Sequence, residues 1–223
     1  MSPAALCLDN IYVAYGTSQP PVLKDFTLSV SEGELACLLG ASGCGKTTVL
    51  RAIAGFERLQ SGTISVGALR VADNKLHLPP EKRHTGMVFQ EYALFPHLTA
   101  EENIAFGLRH LPRLQRQARV DRLLAMVSLP QHATHYPHQL SGGQQQRIAL
   151  ARALAPEPKI LMLDEPFSSL DSQPRERIGS DVRDILREAG QTALMVTHSE
   201  AEAYMMSDTI GEVCNGQYRV IKG

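Results

Sequence analysis

The first quarter of the chain changes from an alternating to a continuous apolar pattern. Residues 6–16 (LCLDNIYVAYG) and 26–30 (FTLSV) alternate apolar with polar positions, which predicts strands with one exposed face, compatible with an antiparallel pair. Residues 34–40 (ELACLLG) are almost continuously apolar, which predicts a buried parallel strand. Residues 46–56 (KTTVLRAIAGF) have helical spacing, so we expect a strand, a glycine-rich turn and a helix in succession.

Helical spacing dominates from residue 91 to residue 155. Segments 99–108, 116–129 and 142–155 each predict a helix, and Thr99 with Glu102 three residues later forms a capping-box pattern. Before this region, residues 62–71 predict a hairpin and residues 85–90 (TGMVFQ) a short strand. We therefore expect a helical lobe inserted into an α/β unit.

Continuous apolar runs return after the helical region, at 160–163 (ILML) and 193–196 (ALMV), with helix-like segments after the first and after the second. Strands that alternate with helices are typical of a parallel sheet with helices on both faces. The fold class predicted is α/β, with a mostly parallel sheet, an antiparallel β subdomain from the early strands and an inserted helical subdomain.

Composition indicates one globular domain and argues against a nucleic-acid partner. The chain has 223 residues, of which 43% are hydrophobic and 20% charged, with a formal net charge of −1. A nucleic-acid-binding domain usually has a strongly basic surface, so no nucleic-acid partner is expected. The short basic run at 81–84 (EKRH) is interpreted as a solvated turn.

The cysteines and the apolar runs indicate a reducing compartment and no membrane span. The four cysteines are scattered without a C-x-x-C pair, which does not favour a disulfide or zinc framework. No signal peptide is recognisable at the first residues, and no apolar run approaches the roughly 20 residues of a spanning helix. The cytoplasm is the compartment we expect.

Residues 40–48 (GASGCGKTT) match the phosphate-loop pattern G-x-x-x-x-G-K-[ST] at Gly40, Gly45, Lys46 and Thr47. Glycines allow successive backbone N–H groups to point at phosphate oxygens, and the following helix adds its positive end. The lysine adds a point charge, and the threonine hydroxyl is a ligand for Mg²⁺. The segment expected to contact the nucleotide comprises Gly40, Ala41, Ser42, Gly43, Cys44, Gly45, Lys46, Thr47 and Thr48.

A second acidic element follows a buried strand at ILMLDEP. Asp164 stands at the carboxyl end of that strand, where we expect it to hold Mg²⁺, and Glu165 is the expected general base for a water molecule. These elements leave kinase, GTPase and transport ATPase open. A guanine-binding N-K-x-D string is absent, because residues 74–77 read NKLH, so GTPase is disfavoured.

Residues 140–147 (LSGGQQQR) form a second glycine-rich segment before a predicted helix, which is again a pattern suited to phosphate. The phosphate loop, LSGGQQQR and ILMLDEPFSSLD, in this order, closely resemble the ATP-binding subunits of ABC transporters over almost the whole chain. The resemblance implies a P-loop NTPase (RecA-like) core. It also implies one domain over 1–223, in which 1–90 and 156–223 form the nucleotide-binding core and 91–155 the helical subdomain.

The resemblance assigns further roles at matching positions. Tyr15 is similar to the aromatic residue that stacks on adenine, with Tyr12 as the competing, strand-packing residue. Gln90 resembles the glutamine that contacts Mg²⁺ and the attacking water, Asp171 ends the D-loop, and His198 resembles the switch histidine at the γ-phosphate. The other seven histidines are expected to be structural, namely His77, His84, His97, His110, His132, His135 and His138.

In this family the signature segment serves the nucleotide of a second chain. The resemblance therefore implies an ATP-bound, head-to-tail homodimer with ATP and Mg²⁺ as ligands, in which the γ-phosphate bridges the subunits. The residues expected to act in trans are Ser141, Gly142, Gly143 and Gln144.

Since no membrane segment is expected, a separate integral membrane permease is implied, with an extracellular or periplasmic binding protein as an indirect partner. Residues 77–108 resemble ATPases of importers for ferric iron, polyamines, sugars, sulfate and phosphonates, and the ferric iron type most closely. The expected location is peripheral, on the cytoplasmic face of the inner membrane. A permease groove would involve Tyr92, Leu94, Phe95 and Pro96, unless Leu94 and Phe95 simply pack the lobe.

Two other classes of function compete with this interpretation. A DNA-repair or ribosome-associated ABC ATPase usually has a long coiled-coil insertion or tandem ATPase domains, and neither pattern is present. A small-molecule P-loop kinase leaves LSGGQ unexplained. Relatives of the importer type commonly continue into a β-rich regulatory domain, whereas this chain ends at Gly223, so regulation through such a domain is not predicted.

Overall fold

The computed structural model describes residues 4–16, 20–168 and 172–223. Its strands are β1 (Ala4–Val13), β2 (Leu23–Ser31), β3 (Leu35–Leu39), β4 (Ser61–Val66), β5 (Leu69–Ala72), β6 (Thr85–Val88), β7 (Ile160–Asp164), β8 (Ala193–Thr197), β9 (Thr209–Cys214) and β10 (Gln217–Lys222). Its α-helices are α1 (Lys46–Ala54), α2 (Ala100–Ala105), α3 (Arg113–Met126), α4 (Gly142–Leu154), α5 (Ser172–Glu188) and α6 (Glu200–Met206). The predicted α/β fold class is confirmed.

A four-stranded antiparallel sheet has the order β2-β1-β4-β5. The alternating pattern of the first segment determines which side of this sheet is buried, since side chains two positions apart share a face. Leu8, opposite Leu28 on β2 and Ile64 on β4, belongs to the buried side. The antiparallel pair and the hairpin expected from the sequence are both present.

The second sheet has the order β10-β9-β3-β8-β7-β6, and its neighbours from β9 to β6 are parallel. Every residue of β3 and β8 is buried, as expected for strands covered on both faces. Because parallel strands end at the same edge of a sheet, the residues that follow β3, β7 and β8 lie near one another.

The helices α2, α3 and α4 pack together as the helical lobe, and Thr99 forms the predicted capping box with Glu102. A fully buried Asn103 organises the preceding turn, because its side chain accepts from the Phe95 N–H at 2.9 Å and donates to the carbonyls of Phe95, Leu98 and Thr99. None of the helices in the described part of the chain combines the length and apolar character needed to span a bilayer.

Tyr92 is not a groove residue, which corrects the expectation from the sequence. Its side chain is only 6% exposed and belongs to the apolar core that the helical lobe shares with strands β3, β7 and β8. Leu94 packs against the same core, and the Phe95 ring lies 4.3 Å from that of Phe106. Pro96 remains exposed. For Leu94 and Phe95 the structure therefore agrees with the competing interpretation, in which they pack the lobe.

The interpretation of residues 81–84 as a solvated turn was wrong at Arg83, which is fully buried. Its guanidinium donates to the carbonyls of Ala52 (2.8 Å) and Ile53 (3.1 Å) at the end of α1 and to that of Leu78 (2.6 Å). The last carbonyls of a helix have no partner within the helix, so a cation there satisfies them and interacts favourably with the negative end of the helix dipole. Arg83 therefore holds the far end of the phosphate-loop helix.

Candidate nucleotide-binding site

The phosphate loop connects β3 to α1 and requires glycine at two positions. Gly45, the residue before α1, has φ 110°, and a Cβ there would lie 3.0 Å from the Leu23 side chain. At Gly40 a Cβ would lie 2.7 Å from the Val213 carbonyl oxygen. Glycine is required at both positions because strand β9 and the start of β2 leave no room for a Cβ atom, and because the positive φ of Gly45 is unfavourable for other residues.

Lys46, the first residue of α1, extends back over the phosphate loop that precedes it. Its side chain is buried, and Nζ donates to the carbonyl oxygens of Gly40 (2.7 Å) and Ala41 (2.9 Å). These neutral acceptors orient the ammonium group without cancelling its charge, so the loop retains a positive charge for phosphate. A cavity of about 390 Å³ lies here, lined by Tyr15, Val22, Ser42, Gly43, Gly45, Lys46, Thr47, Thr48 and Glu165.

Thr47 and Asp164 form the candidate metal position, although they lie far apart in sequence. The Thr47 hydroxyl donates to Asp164 Oδ1 at 3.3 Å. Burial raises the pKa of Asp164 above its ordinary value, and the neighbouring Glu165 raises it further, while the bond from Thr47 opposes this. A desolvated carboxylate beside a second carboxylate and a hydroxyl is an oxygen set that suits a hard divalent cation.

This oxygen set contributes only part of a coordination sphere. Within residues 4–16, 20–168 and 172–223, no three His, Cys, Asp or Glu side chains come together as a metal cluster. A cation would therefore complete its sphere with phosphate oxygens and water, as Mg²⁺ usually does. Gln90 is exposed in the turn just after β6, the strand that pairs with the β7 strand of Asp164.

Glu165 and His198 meet at the same edge of the sheet. Nδ1 of His198 lies 3.2 Å from Oε2 of Glu165, whose backbone has φ 44°. The residue before the histidine, Thr197, is held by a 2.5 Å hydrogen bond from its hydroxyl to the buried Glu202 on α6. The glutamate side chain is about one fifth exposed and lines the cavity, and the imidazole beside it is about half exposed.

Tyr15 lies at the mouth of the cavity, with its ring 49% exposed. Its hydroxyl is 2.8 Å from Oγ1 of Thr48, on the first turn of α1. Tyr12 instead lies within β1, opposite Ser61 of β4, and is partly buried. Of the two tyrosines that the sequence left as candidates, Tyr15 is therefore the one that lines the cavity beside the phosphate loop.

The signature segment lies apart from this cavity. Ser141 is the N-cap of α4, and Ser141 and Gly142 are exposed. A separate cavity of about 370 Å³ is lined by Ser128, Leu129, Gln131, Ser141, Gly143, Gln144, Arg147, Arg177, Ile178 and Asp181. The D-loop residue Asp171 lies outside the described residues. One chain thus brings together the loop, Asp164, Glu165 and His198, but not the signature.

Sequence patterns did not indicate Val22, which lines the nucleotide cavity. Its side chain and carbonyl oxygen approach within 3.4 and 3.5 Å of the position that a Cβ at Gly45 would occupy. A lone valine before a strand carries no motif, so only the fold reveals its place.

Comparisons with known proteins show the family and the fold. A family model described as ABC transporter matches residues 23–168. The Fe(3+) ions import ATP-binding protein FbpC 2 of Rhizobium meliloti is 50% identical over 190 residues, covering 84% of this chain and 47% of that protein. The spermidine/putrescine import ATP-binding protein PotA of Roseobacter denitrificans is 46% identical, over 96% of this chain and 58% of its own length.

A third relative, the putative 2-aminoethylphosphonate import ATP-binding protein PhnT of Salmonella paratyphi A, is 47% identical over 96% of this chain and 57% of its own length. The chain thus spans about half the length of these curated relatives. A solved dimer of the ATP-binding cassette MJ0796, bound to ADP and Pi, has a TM-score of 0.79 and 32% identity, covering 98% of this chain and 99% of that chain. The chain is therefore a member of the ABC transporter family and has the fold of its ATP-binding cassettes.

Proposed function

We propose that the protein is the ATP-binding and ATP-hydrolysing subunit of a bacterial ABC importer. The observation that carries this proposal is the cluster at one sheet edge, where Lys46, Thr47 and Asp164 stand beside Glu165 and His198. A phosphate cradle with a carboxylate base and an adjacent imidazole is suited to transfer of a phosphoryl group to water.

ATP would place its phosphates on the backbone N–H groups of the loop and on Lys46, with the adenine on Tyr15. Mg²⁺, held by Thr47, Asp164 and Gln90, would neutralise charge on the phosphate oxygens. Glu165 would accept a proton from the attacking water as the new P–O bond forms. The bond between the γ-phosphorus and the bridging oxygen breaks, and ADP and phosphate leave.

His198 would contact the γ-phosphate while its Nδ1 faces Glu165. The 3.2 Å separation supports this role, because a histidine fixed on one nitrogen presents its other nitrogen in a defined direction.

The signature segment would complete the site of a second chain. Its exposed Ser141, in a cavity separate from the phosphate loop, supports an arrangement in trans, as does the similarity to a cassette solved as a dimer. A head-to-tail homodimer with ATP between the chains gives each nucleotide one loop and one signature. Loss of the γ-phosphate would then release the two chains.

Coupling to transport would use a groove between α2 and α3. This cavity of about 310 Å³ is lined by Leu98, Glu101, Glu102, Ala105, Phe106, Arg109, Arg116, Gln117 and Val120. Phe106 is 39% exposed there, which gives an apolar contact for a short helix of an integral membrane permease. The protein would lie peripherally on the cytoplasmic face of the membrane, with a solute-binding protein as an indirect partner.

Ferric iron is the proposed cargo, on the basis of the 50% identity to an Fe(3+) import subunit. Relatives named for polyamine and aminoethylphosphonate import reach 46–47%, so these cargoes are the alternatives. The test is reconstitution in vesicles of the protein with the permease encoded beside it. Uptake of Fe³⁺, putrescine and 2-aminoethylphosphonate would be compared, and ATP-driven uptake of another solute alone would overturn the cargo proposal.

The activity itself is tested on the purified protein. ATP hydrolysis should depend on Mg²⁺, and Glu165→Gln should accumulate an ATP-bound dimer in solution. Hydrolysis at the normal rate in that variant would exclude Glu165 as the base. Absence of an ATP-dependent dimer would exclude the arrangement in trans.

A further inference from the structure

The side chain of Gln144 lies between the first residue of the signature and a histidine outside it. Its Oε1 accepts from the Ser141 N–H at 2.8 Å, and the backbone N–H of Gln144 donates to Ser141 Oγ at 3.3 Å, which forms a capping box. On the other side, Nε2 of Gln144 lies 3.2 Å from Nε2 of His132. Both side chains are partly buried.

The direction of these bonds follows from the donors and acceptors available. Because the amide oxygen of Gln144 is occupied by the Ser141 N–H, its NH₂ group faces the imidazole. An NH₂ group only donates, so Nε2 of His132 is the acceptor in this contact. A rotated amide would bring the oxygen to His132 and remove it from the cap.

His132 is held in place from two directions. Its ring centroid is 5.0 Å from that of His135. The carbonyls of His135 and Ala133 accept from the N–H groups of Ala100 (2.8 Å) and Glu101 (2.9 Å), at the start of α2. These bonds fix the turn that carries the imidazole, so the acceptor has a defined position relative to the helical lobe.

His132 differs from its neighbour His135 in the contact that its ring makes. Nδ1 is buried and without a hydrogen-bond partner among the described residues in both rings, which is unfavourable and which an apolar side chain of similar shape would avoid. Of the two histidines, His132 is the one whose Nε2 lies beside the Gln144 amide. What distinguishes His132 is therefore the acceptor at Nε2.

We infer that His132 is a positioning residue for the signature. It fixes the amide of Gln144, which keeps the cap of α4 closed and holds Ser141 and the first N–H groups of the helix where a partner's γ-phosphate would meet them. This inference rests on the proposed function in trans. His132 touches no nucleotide in this scheme and acts only through Gln144.

Two variants separate hydrogen bonding from packing. His132→Phe keeps a planar ring but has no acceptor, whereas His132→Gln places a carbonyl oxygen near the former Nε2. His135→Phe is the control, because it changes the neighbouring ring without an observed bond to the signature. All three are measured in the full chain with Mg²⁺ and ATP.

We expect His132→Phe to lower kcat by about threefold to tenfold, the range for one lost neutral hydrogen bond. ATP affinity of the monomer should stay unchanged, since the phosphate loop lies in the other cavity. In a Glu165→Gln background the ATP-bound dimer should weaken by a similar factor, and hydrogen exchange at the Ser141 amide should accelerate. His132→Gln and His135→Phe should behave as the parent.

Two results would overturn the inference. One is normal turnover and normal Ser141 exchange in His132→Phe, and the other is an equal loss in His132→Phe and His132→Gln, which would make His132 a packing residue. Failure of the underlying function is separate, because Glu165→Gln alone would then form no ATP-dependent dimer.

Discussion

Nδ1 of His198 lies 3.2 Å from Oε2 of Glu165, at the ends of two adjacent parallel strands. The glutamate side chain is about one fifth exposed and lines the nucleotide cavity, and the histidine beside it is about half exposed. The proposed base and the proposed γ-phosphate contact therefore lie within one hydrogen bond of each other. The first prediction tests the base.

Glu165→Gln should reduce ATP turnover by roughly 10²–10⁴-fold, the usual contribution of a positioned general base, because an amide cannot accept the proton of water. ATP binding should persist, since the phosphate loop is unchanged. Steady-state hydrolysis and nucleotide binding check this. Glu188→Gln, an exposed change at the end of α5, is the matched control and should leave turnover unaltered.

Asp164→Asn should stabilise the nucleotide-free, metal-free protein at neutral pH while it impairs Mg²⁺-dependent turnover. The folded-state pKa of Asp164 is raised above 3.8, mainly by burial. In the window above that value the folded state binds more protons than the unfolded state, so stability falls as pH rises. Because asparagine does not ionise, the Asp164→Asn variant does not lose stability in this way as pH rises.

Thermal melting of both proteins without metal, at pH 3.5 and at pH 7, measures the effect of Asp164. The advantage of Asp164→Asn should be larger at pH 7 and should shrink toward the acid end. A difference in melting temperature that does not depend on pH would mean that ionisation of Asp164 does not destabilise the folded state.

Ser141→Arg should abolish turnover and leave ATP binding to the monomer nearly intact, because the signature cavity does not include the phosphate loop. A long cation at the N-cap would obstruct the approach of a second chain and would oppose the positive end of α4. Equilibrium nucleotide binding and sedimentation with ATP are the measurements. Ser29→Arg, exposed on β2, is the control; loss of ATP binding in Ser141→Arg alone would contradict action in trans.

Arg83→Met should lower the free energy of unfolding by about 3 kcal/mol or more. It leaves the buried carbonyls of Ala52 and Ile53 and the partly buried carbonyl of Leu78 without their donor, and each unsatisfied buried group costs about 1–3 kcal/mol. Urea denaturation measures the loss. Lys82→Met is a matched control at an exposed neighbouring position and should stay within about 0.5 kcal/mol of the parent.

Several features could be predicted because they depend on neighbouring residues. The glycine-rich loop between a buried strand and a helix, the capping box of Thr99 with Glu102, and the apolar strand before Asp164 are all local patterns. The family resemblance also rests on short motifs. The fold class followed from these elements because alternation of strands and helices admits few arrangements.

Other features could not be predicted because they depend on which surfaces meet. Arg83 belongs to a charged run, yet it turns inward since α1 ends beside it with unpaired carbonyls. Tyr92, expected in a groove, is buried in the core that the lobe shares with the larger sheet. The contact of Gln144 with His132 depends on a turn that α2 holds in place.

The sequence by itself determined the phosphate loop, the strand-end carboxylates and the family, because each is encoded by residues close together along the chain. Only the tertiary structure decided that Thr47 meets Asp164, that His198 meets Glu165, and that the signature stands apart from both. The physical reason is that these relationships arise between strands and helices remote in sequence. Sheet order and packing set their distances, and no local pattern records them.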